Sequence, residues 1–108
     1  MAEEVKTQKK ERVRKTTDSN EIFIGNKPFM KYVIATMMQL EANESAIIKA
    51  RGKFISRGVD VAEVVKKRIK ETKNIDLLNE LRIGTEGFKN DEGKAIYVST
   101  IDIELKRK

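Results

Sequence analysis

The sequence predicts an α+β fold, a two-layer α/β sandwich in which two helices lie on one face of a mixed four-stranded sheet. Two segments repeat apolar residues at helical spacing, and others alternate apolar and polar residues at strand spacing. The resulting element order is β-α-β-α-β-β, and the last two strands form a long β-hairpin arm. Covering one sheet face with both helices is the packing that this order favours. At 108 residues, the chain has room for one such domain.

The first strand and helix are predicted between residues 21 and 42. Glu21 to Ile24 form a short apolar strand that Gly25 and Asn26 end, and Pro28 suits the first turn of a helix. The apolar residues that follow at helical spacing are Phe29, Val33, Met37 and Leu40, widened by Ile34 and Met38. We expect this face to pack on the core, and not to form a methionine-lined binding groove.

The second strand and helix follow directly. Ser45 to Arg51 alternate at strand spacing, with Ala46, Ile48 and Ala50 on one face and Ile47, Lys49 and Arg51 on the other. Gly52 ends this strand. A helix is expected from about Phe54 to Glu71, and one side of it carries Ile55, Val59, Ala62, Val65 and Ile69. Gly58 costs this helix about 1 kcal/mol relative to alanine, which close packing against the sheet or a partner chain would explain.

Two long strands complete the predicted sheet. They run from Leu77 to Thr85 and from Ala95 to Leu105, joined by the loop Glu86–Lys94. Alternation with one apolar face, which includes Leu81 and Ile83, predicts a sheet that is covered on one side. The hairpin could reach into a groove with Phe88 as an exposed apolar contact; an ordinary flexible hairpin is the alternative.

The chain is divided into residues 1–20, a flexible N-terminal arm of mixed basic and acidic residues, and residues 21–108, the folded domain. The arm carries too few large apolar side chains to offset the entropy of ordering. Its basic cluster, between Lys9 and Lys15, either touches phosphates or belongs to a solvated tail.

The composition favours a polyanionic partner and argues against an enzyme. Lys and Arg number 23 against 17 Asp and Glu, which gives a net charge of +6. Nucleic acid is the first candidate and an anionic membrane surface the second, although surface lysines also serve solubility alone. The chain has no Cys and no His, so it lacks the usual metal ligands and the commonest general base. We therefore expect no metal and no cofactor. Residues 1–20 contain no apolar run, and no stretch is apolar for the roughly 20 residues that a bilayer span needs. We therefore expect a cytoplasmic protein without a signal peptide or membrane span.

Basic residues flank both predicted helix starts. The loop Ile24–Pro28 leads into a helix N-terminus, which suits a phosphate, but it lacks the glycines of a nucleotide-binding loop. Lys49–Lys53 and Arg57 surround the second helix start, and the predicted fold brings both starts to one edge of the sheet. The candidate nucleic-acid-binding residues are Asn26, Lys27, Lys31, Lys49, Arg51, Gly52, Lys53, Arg57, Lys89 and Lys94.

Several segments between residues 21 and 107 match the pattern of one protein family: Ile24-Gly25-Asn26-Lys27-Pro28, Met30, Tyr32-Val33, Ile48-Lys49-Ala50-Arg51-Gly52-Lys53, Ile55-Ser56-Arg57, Val59-Asp60 and Val98-Ser99-Thr100-Ile101. In these segments the chain resembles the Alba family. The resemblance implies a homodimer, capable of dimer–dimer assembly, that grips double-stranded nucleic acid with a basic body and two hairpin arms. It also implies chromatin packing and RNA binding, and related chains are subunits of ribonucleoprotein enzymes such as ribonuclease P. By position, Lys27, Arg51, Lys53 and Arg57 match the family's body contacts.

The sequence departs from the family pattern at two places. Asn26 stands where many members have the first of two lysines, a proposed acetylation switch. The second departure is in the hairpin arm. Its segment Glu86–Lys94 holds three acidic residues against two basic ones, which should weaken its insertion into a groove of the nucleic acid.

The sequence is compatible with three functions. The leading hypothesis is a dimeric, low-specificity binder of double-stranded DNA, associated with the chromosome or nucleoid, that also binds RNA. The alternative is an RNA-binding protein, either a ribonucleoprotein subunit or a regulator of RNA structure. A Mg²⁺-dependent nuclease using Asp60 and Glu63, one helical turn apart, is the weakest.

Overall fold

The computed structural model describes residues 20–107 and confirms the predicted order of elements. The helices are α1, Phe29–Ala42, and α2, Ile55–Lys73, and a short 3₁₀ turn, Gly52–Phe54, precedes α2. The strands are β1, Glu21–Phe23; β2, Ser45–Arg51; β3, Leu77–Lys89; and β4, Ala95–Arg107. They form one sheet in the order β1-β2-β4-β3, in which β1 is parallel to β2 and the other neighbours are antiparallel.

The core lies between the two helices and one face of this sheet. Its fully buried side chains include Val33, Leu40, Ile48, Val61, Val65 and Leu105. Burying an aliphatic side chain of this size contributes about 1.5–3 kcal/mol. The predicted inward face of β2 is confirmed by the burial of Ala46, Ile48 and Ala50. A Cβ at Gly58 would lie 3.0 Å from the Cβ of Ala50, so the glycine allows α2 to approach the sheet closely.

The apolar stripes of the helices are narrower than predicted. Ile34 and Met38 are 53% and 63% exposed, so the expectation that they widen the core face of α1 is wrong. Tyr32 and Thr36 are buried in their place. Thr36 can be buried because its hydroxyl donates to the Tyr32 backbone carbonyl at 2.8 Å and needs no water. On α2, Val59 is exposed, contrary to prediction.

The hairpin strands are longer than predicted. Glu86–Lys89 continue β3 and pair with Ala95–Val98 of β4, so the predicted loop Glu86–Lys94 shrinks to residues 90–94. The side-chain oxygen of Asn90 accepts from the backbone N–H groups of Glu92 and Lys94, and Gly93 takes a positive φ of 80°. These bonds close a tight turn at the end of a stiff arm.

Most of β3 lies beyond the cover of the helices. Leu77 is buried, but Leu81 and Ile83 are exposed, Ile83 by 83%. The expectation that one face of the sheet is covered along its whole width is therefore wrong for β3 in a single chain. The reason is geometric. β3 is the edge strand of the sheet, and the β4 residues that pair with Leu81 and Ile83 are buried, so the helical layer ends at β4.

Asn20, the first of the described residues, is bonded to β2. The Asn20 side chain donates to the Ser45 hydroxyl at 2.7 Å, and its carbonyl accepts from Ile47 N. Residues 1–19, including the basic cluster Lys9–Lys15, lie outside the described residues. Between residues 20 and 107, neither helix has the length and apolar character that crossing a membrane requires.

Candidate nucleic-acid interface

The loop between β1 and α1 is closed by a tyrosine hydroxyl. The hydroxyl oxygen of Tyr32 accepts hydrogen bonds from the backbone N–H groups of Gly25 and Lys27, each at 2.9 Å. Tyr32 is only 6% exposed, so its ring is fixed by the core. Because two backbone donors converge on one fixed atom, the loop is held in a single conformation at the start of α1.

Arg57 of α2 holds the same loop from the other side. Its Nη2 donates to the Lys27 carbonyl at 2.7 Å, and its guanidinium carbon lies 5.9 Å from the ring centres of Phe29 and Tyr32. Its Nε is buried without a hydrogen-bond partner among the described residues. Arg57 therefore supplies positive charge and also fixes the position of Lys27.

Four basic residues surround the two helix starts and form what we call the basic edge: Lys27, Lys31, Lys53 and Arg57. Within the described part of the chain, none of them makes an ion pair with a carboxylate. The first turns of α1 and α2 contain no acidic residue, so the positive ends of the helix dipoles are not compensated there. The basic edge is thus a region of unbalanced positive charge.

Two other predicted residues are already paired with carboxylates. Lys49 Nζ lies 3.3 Å from Asp102 and 3.6 Å from Glu21, and Arg51 Nη1 is bonded to Glu86 of the arm. Both side chains lie on the sheet face away from the helices, which we call the open face. A phosphate at Arg51 would have to compete with Glu86.

The remaining candidates lie at the periphery. Asn26 is exposed in the β1–α1 loop, and Gly52 adopts a positive φ of 58° that places Lys53 at the start of the 3₁₀ turn. Lys89 and Lys94 flank the turn of the arm. The structure therefore places Arg57 in contact with Lys27, sets Lys31 and Lys53 beside the two helix starts, and places Lys49 on the open face.

Sequence reasoning missed the roles of Tyr32 and Glu86. Both act through contacts between distant parts of the chain, which local spacing does not reveal. A polar tyrosine one turn after a glycine loop was the one available signal.

The nuclease hypothesis assigned a catalytic carboxylate to Glu63. In the structure, Glu63 is an exposed surface residue whose carboxylate accepts a hydrogen bond from Lys66 at 3.1 Å. Among residues 20–107, no group of three or more ligating side chains could hold a metal ion.

Comparison with known proteins gives consistent matches. A family model described as Alba matches residues 20–84. The chain is similar to the DNA/RNA-binding protein Alba of Methanocella arvoryzae, with 46% identity over 91 residues that cover 83% of this chain and 92% of the relative. The protein of the same name from Nitrosopumilus maritimus is 45% identical over 80% of this chain and 88% of its own length. Among solved structures, Alba from Thermoplasma volcanium matches with a TM-score of 0.69 and 40% identity, covering 81% of this chain and 99% of that one.

Proposed function

The chain belongs to the Alba family, and on that premise we propose that it is a dimeric, low-specificity binder of double-stranded DNA that also binds RNA. The observation that carries the proposal is the basic edge, where cations that make no ion pair among residues 20–107 lie beside two helix N-termini. Backbone phosphates are the nucleic-acid groups that this chemistry recognises, and they carry no sequence information. A protein that binds DNA phosphates without sequence preference would associate with the chromosome.

The contacts that we propose come mainly from Lys27, Lys31, Lys53 and Arg57. Arg51 joins them when a phosphate displaces Glu86, and Lys89 and Lys94 add contacts from the arm. Lys49 contributes less, because two carboxylates already neutralise its charge.

A salt titration with a charge-matched control tests this assignment. The logarithm of the affinity for B-DNA should fall with the logarithm of salt concentration by about 0.9 per phosphate neutralised. Lys53→Glu should weaken binding to unrelated duplexes and reduce that slope. Lys67→Glu makes the same charge change at an exposed position on α2, outside the basic edge, and should act much less. Equal effects of the two variants, or a salt-independent wild type, would contradict the proposal.

We further propose that the exposed apolar face of the hairpin forms the dimer interface. Leu81, Ile83 and Tyr97 share the helix side of the sheet and are all exposed. Exposed apolar side chains on one face mark association surfaces. Ile83→Glu should give a monomer in sedimentation equilibrium, whereas Met38→Glu, at an exposed position on α1, should leave the dimer intact. A dimeric Ile83→Glu protein would place the interface elsewhere.

RNA as the principal partner is the second candidate function. The relatives named above are described as DNA/RNA-binding proteins, and phosphate contacts alone do not separate the two polymers. Competition between duplex DNA and structured RNA at matched salt decides which is preferred.

A further inference from the structure

The open face of the sheet contains a groove that none of the four residues of the basic edge lines. Its volume is about 530 Å³, within the range of small-ligand sites. Side chains from all four strands line it: Phe23, Lys49, Arg51, Glu86, Thr100 and Asp102. It lies on the opposite side of the sheet from Leu81 and Ile83, so the proposed dimer leaves it accessible.

The charges in this groove do not suit a duplex backbone. Its two cations, Lys49 and Arg51, are both paired with carboxylates, and two of those carboxylates, Asp102 and Glu86, line the groove themselves. A row of phosphates would meet these acids at close range. The groove instead suits an uncharged ligand that has hydrogen-bond donors of its own.

Phe23 gives the groove an aromatic surface. It stands on the edge strand β1, opposite Lys49 in the register, and is 66% exposed. On the same face, Glu86 fixes the guanidinium of Arg51. Planar aromatic rings and guanidinium groups are the surfaces on which unpaired bases stack in single-stranded complexes.

We propose that this groove binds an unpaired nucleobase of single-stranded RNA or DNA. The base stacks on the Phe23 ring, and the carboxylates of Glu86 and Asp102 accept hydrogen bonds from its amino or imino groups. Carboxylates recognise exocyclic amino groups in this way, as they do the N4 amino group of cytosine. Bases with an exocyclic amino group are therefore favoured over uracil.

The groove is continuous with the basic edge along the chain, because Arg51 ends β2 and Lys53 follows in the next turn. A strand whose phosphates contact the basic edge could thus place an unpaired base on the open face. This inference rests on the proposed nucleic-acid function and extends it from the duplex to single strands.

The test compares Phe23→Leu and Phe23→Trp with the wild-type protein. The probes are a short single-stranded RNA that carries 2-aminopurine at a central position and a duplex of the same length. Stacking quenches 2-aminopurine fluorescence, so wild type and Phe23→Trp should quench it on binding. Phe23→Leu should lose the quenching and about fivefold or more of the single-strand affinity, with duplex affinity unchanged. Thermal melting checks that the exposed substitution leaves the fold intact.

The two proposals fail in different ways. If Phe23→Leu still quenches the probe and binds the single strand as tightly as wild type, the base site is wrong. An equal loss of duplex and single-strand affinity would also overturn it. A wild-type protein that fails to bind the duplex would instead refute the proposed function and leave the fluorescence result to stand alone.

Discussion

Tyr32 holds the β1–α1 loop through its hydroxyl oxygen, and Tyr32→Phe removes only that atom. The substitution leaves the ring in the core and deprives the N–H groups of Gly25 and Lys27 of their acceptor. A buried donor left without a partner costs about 1–3 kcal/mol. Because the loop is partly exposed, water can replace part of the loss, so we expect about 1–3 kcal/mol for both donors together. In a domain of this size, each 1 kcal/mol lowers Tm by about 4–8 °C.

Thermal unfolding and hydrogen exchange measure this effect. The amides of Gly25 and Lys27 should exchange about fivefold faster or more in Tyr32→Phe, since about 1.4 kcal/mol corresponds to tenfold and about 1 kcal/mol to about fivefold. Thr72→Val is the control, because it also removes one hydroxyl group, which bonds to the Arg68 carbonyl at an exposed site on α2, and it should leave Tm nearly unchanged. A Tyr32→Phe protein with wild-type Tm and protected amides would show that the hydroxyl does not hold the loop.

Two further predictions concern stability. Gly58→Ala should gain about 1 kcal/mol from helix propensity, but its Cβ would lie 3.0 Å from that of Ala50, and overpacking costs about 1–3 kcal/mol. We expect a lower urea midpoint, and a raised midpoint would contradict the close approach of α2 to the sheet. The hydrogen bond and charge of Lys73 hold the pKa of Glu41 below its ordinary value. A lowered carboxyl pKa adds stability above the ordinary carboxyl range that is lost as pH falls through the lowered value. In Lys73→Met, an NMR titration should show the Glu41 pKa rising, and an unchanged pKa would exclude Lys73 as the cause.

The element order was predictable because helical and strand periodicities differ clearly. Periodicity identifies an apolar face but not what covers it, so Ile34, Met38 and Ile83 were assigned to the core although they are exposed. The charged and glycine-containing segment Glu86–Lys89 was predicted as a loop. It is a strand because cross-strand pairing with β4 supplies its backbone hydrogen bonds, and that pairing depends on register, which local composition does not encode.

Only part of the candidate site was predictable, because some of its contacts also depend on tertiary register. Lys27, Lys53 and Arg57 follow from the rule that basic residues near helix starts attract phosphates. Alternation along β2 places Lys49 and Arg51 on the open face, but their carboxylate partners come from residues 28 to 53 positions away. Tertiary register alone brings these partners together.

The fourth strand determines the reach of the arm. β4 is one uninterrupted strand of 13 residues whose later half carries Ile101, Ile103 and Leu105 in the core. At about 3.3 Å per residue, its length is about 40 Å. Inserting one residue would reverse the faces of every side chain beyond it, whereas inserting two would preserve the faces and add about 7 Å. Where no β-bulge absorbs a single extra residue, the distance between the body and the tip of the hairpin therefore changes in steps of two residues in each strand.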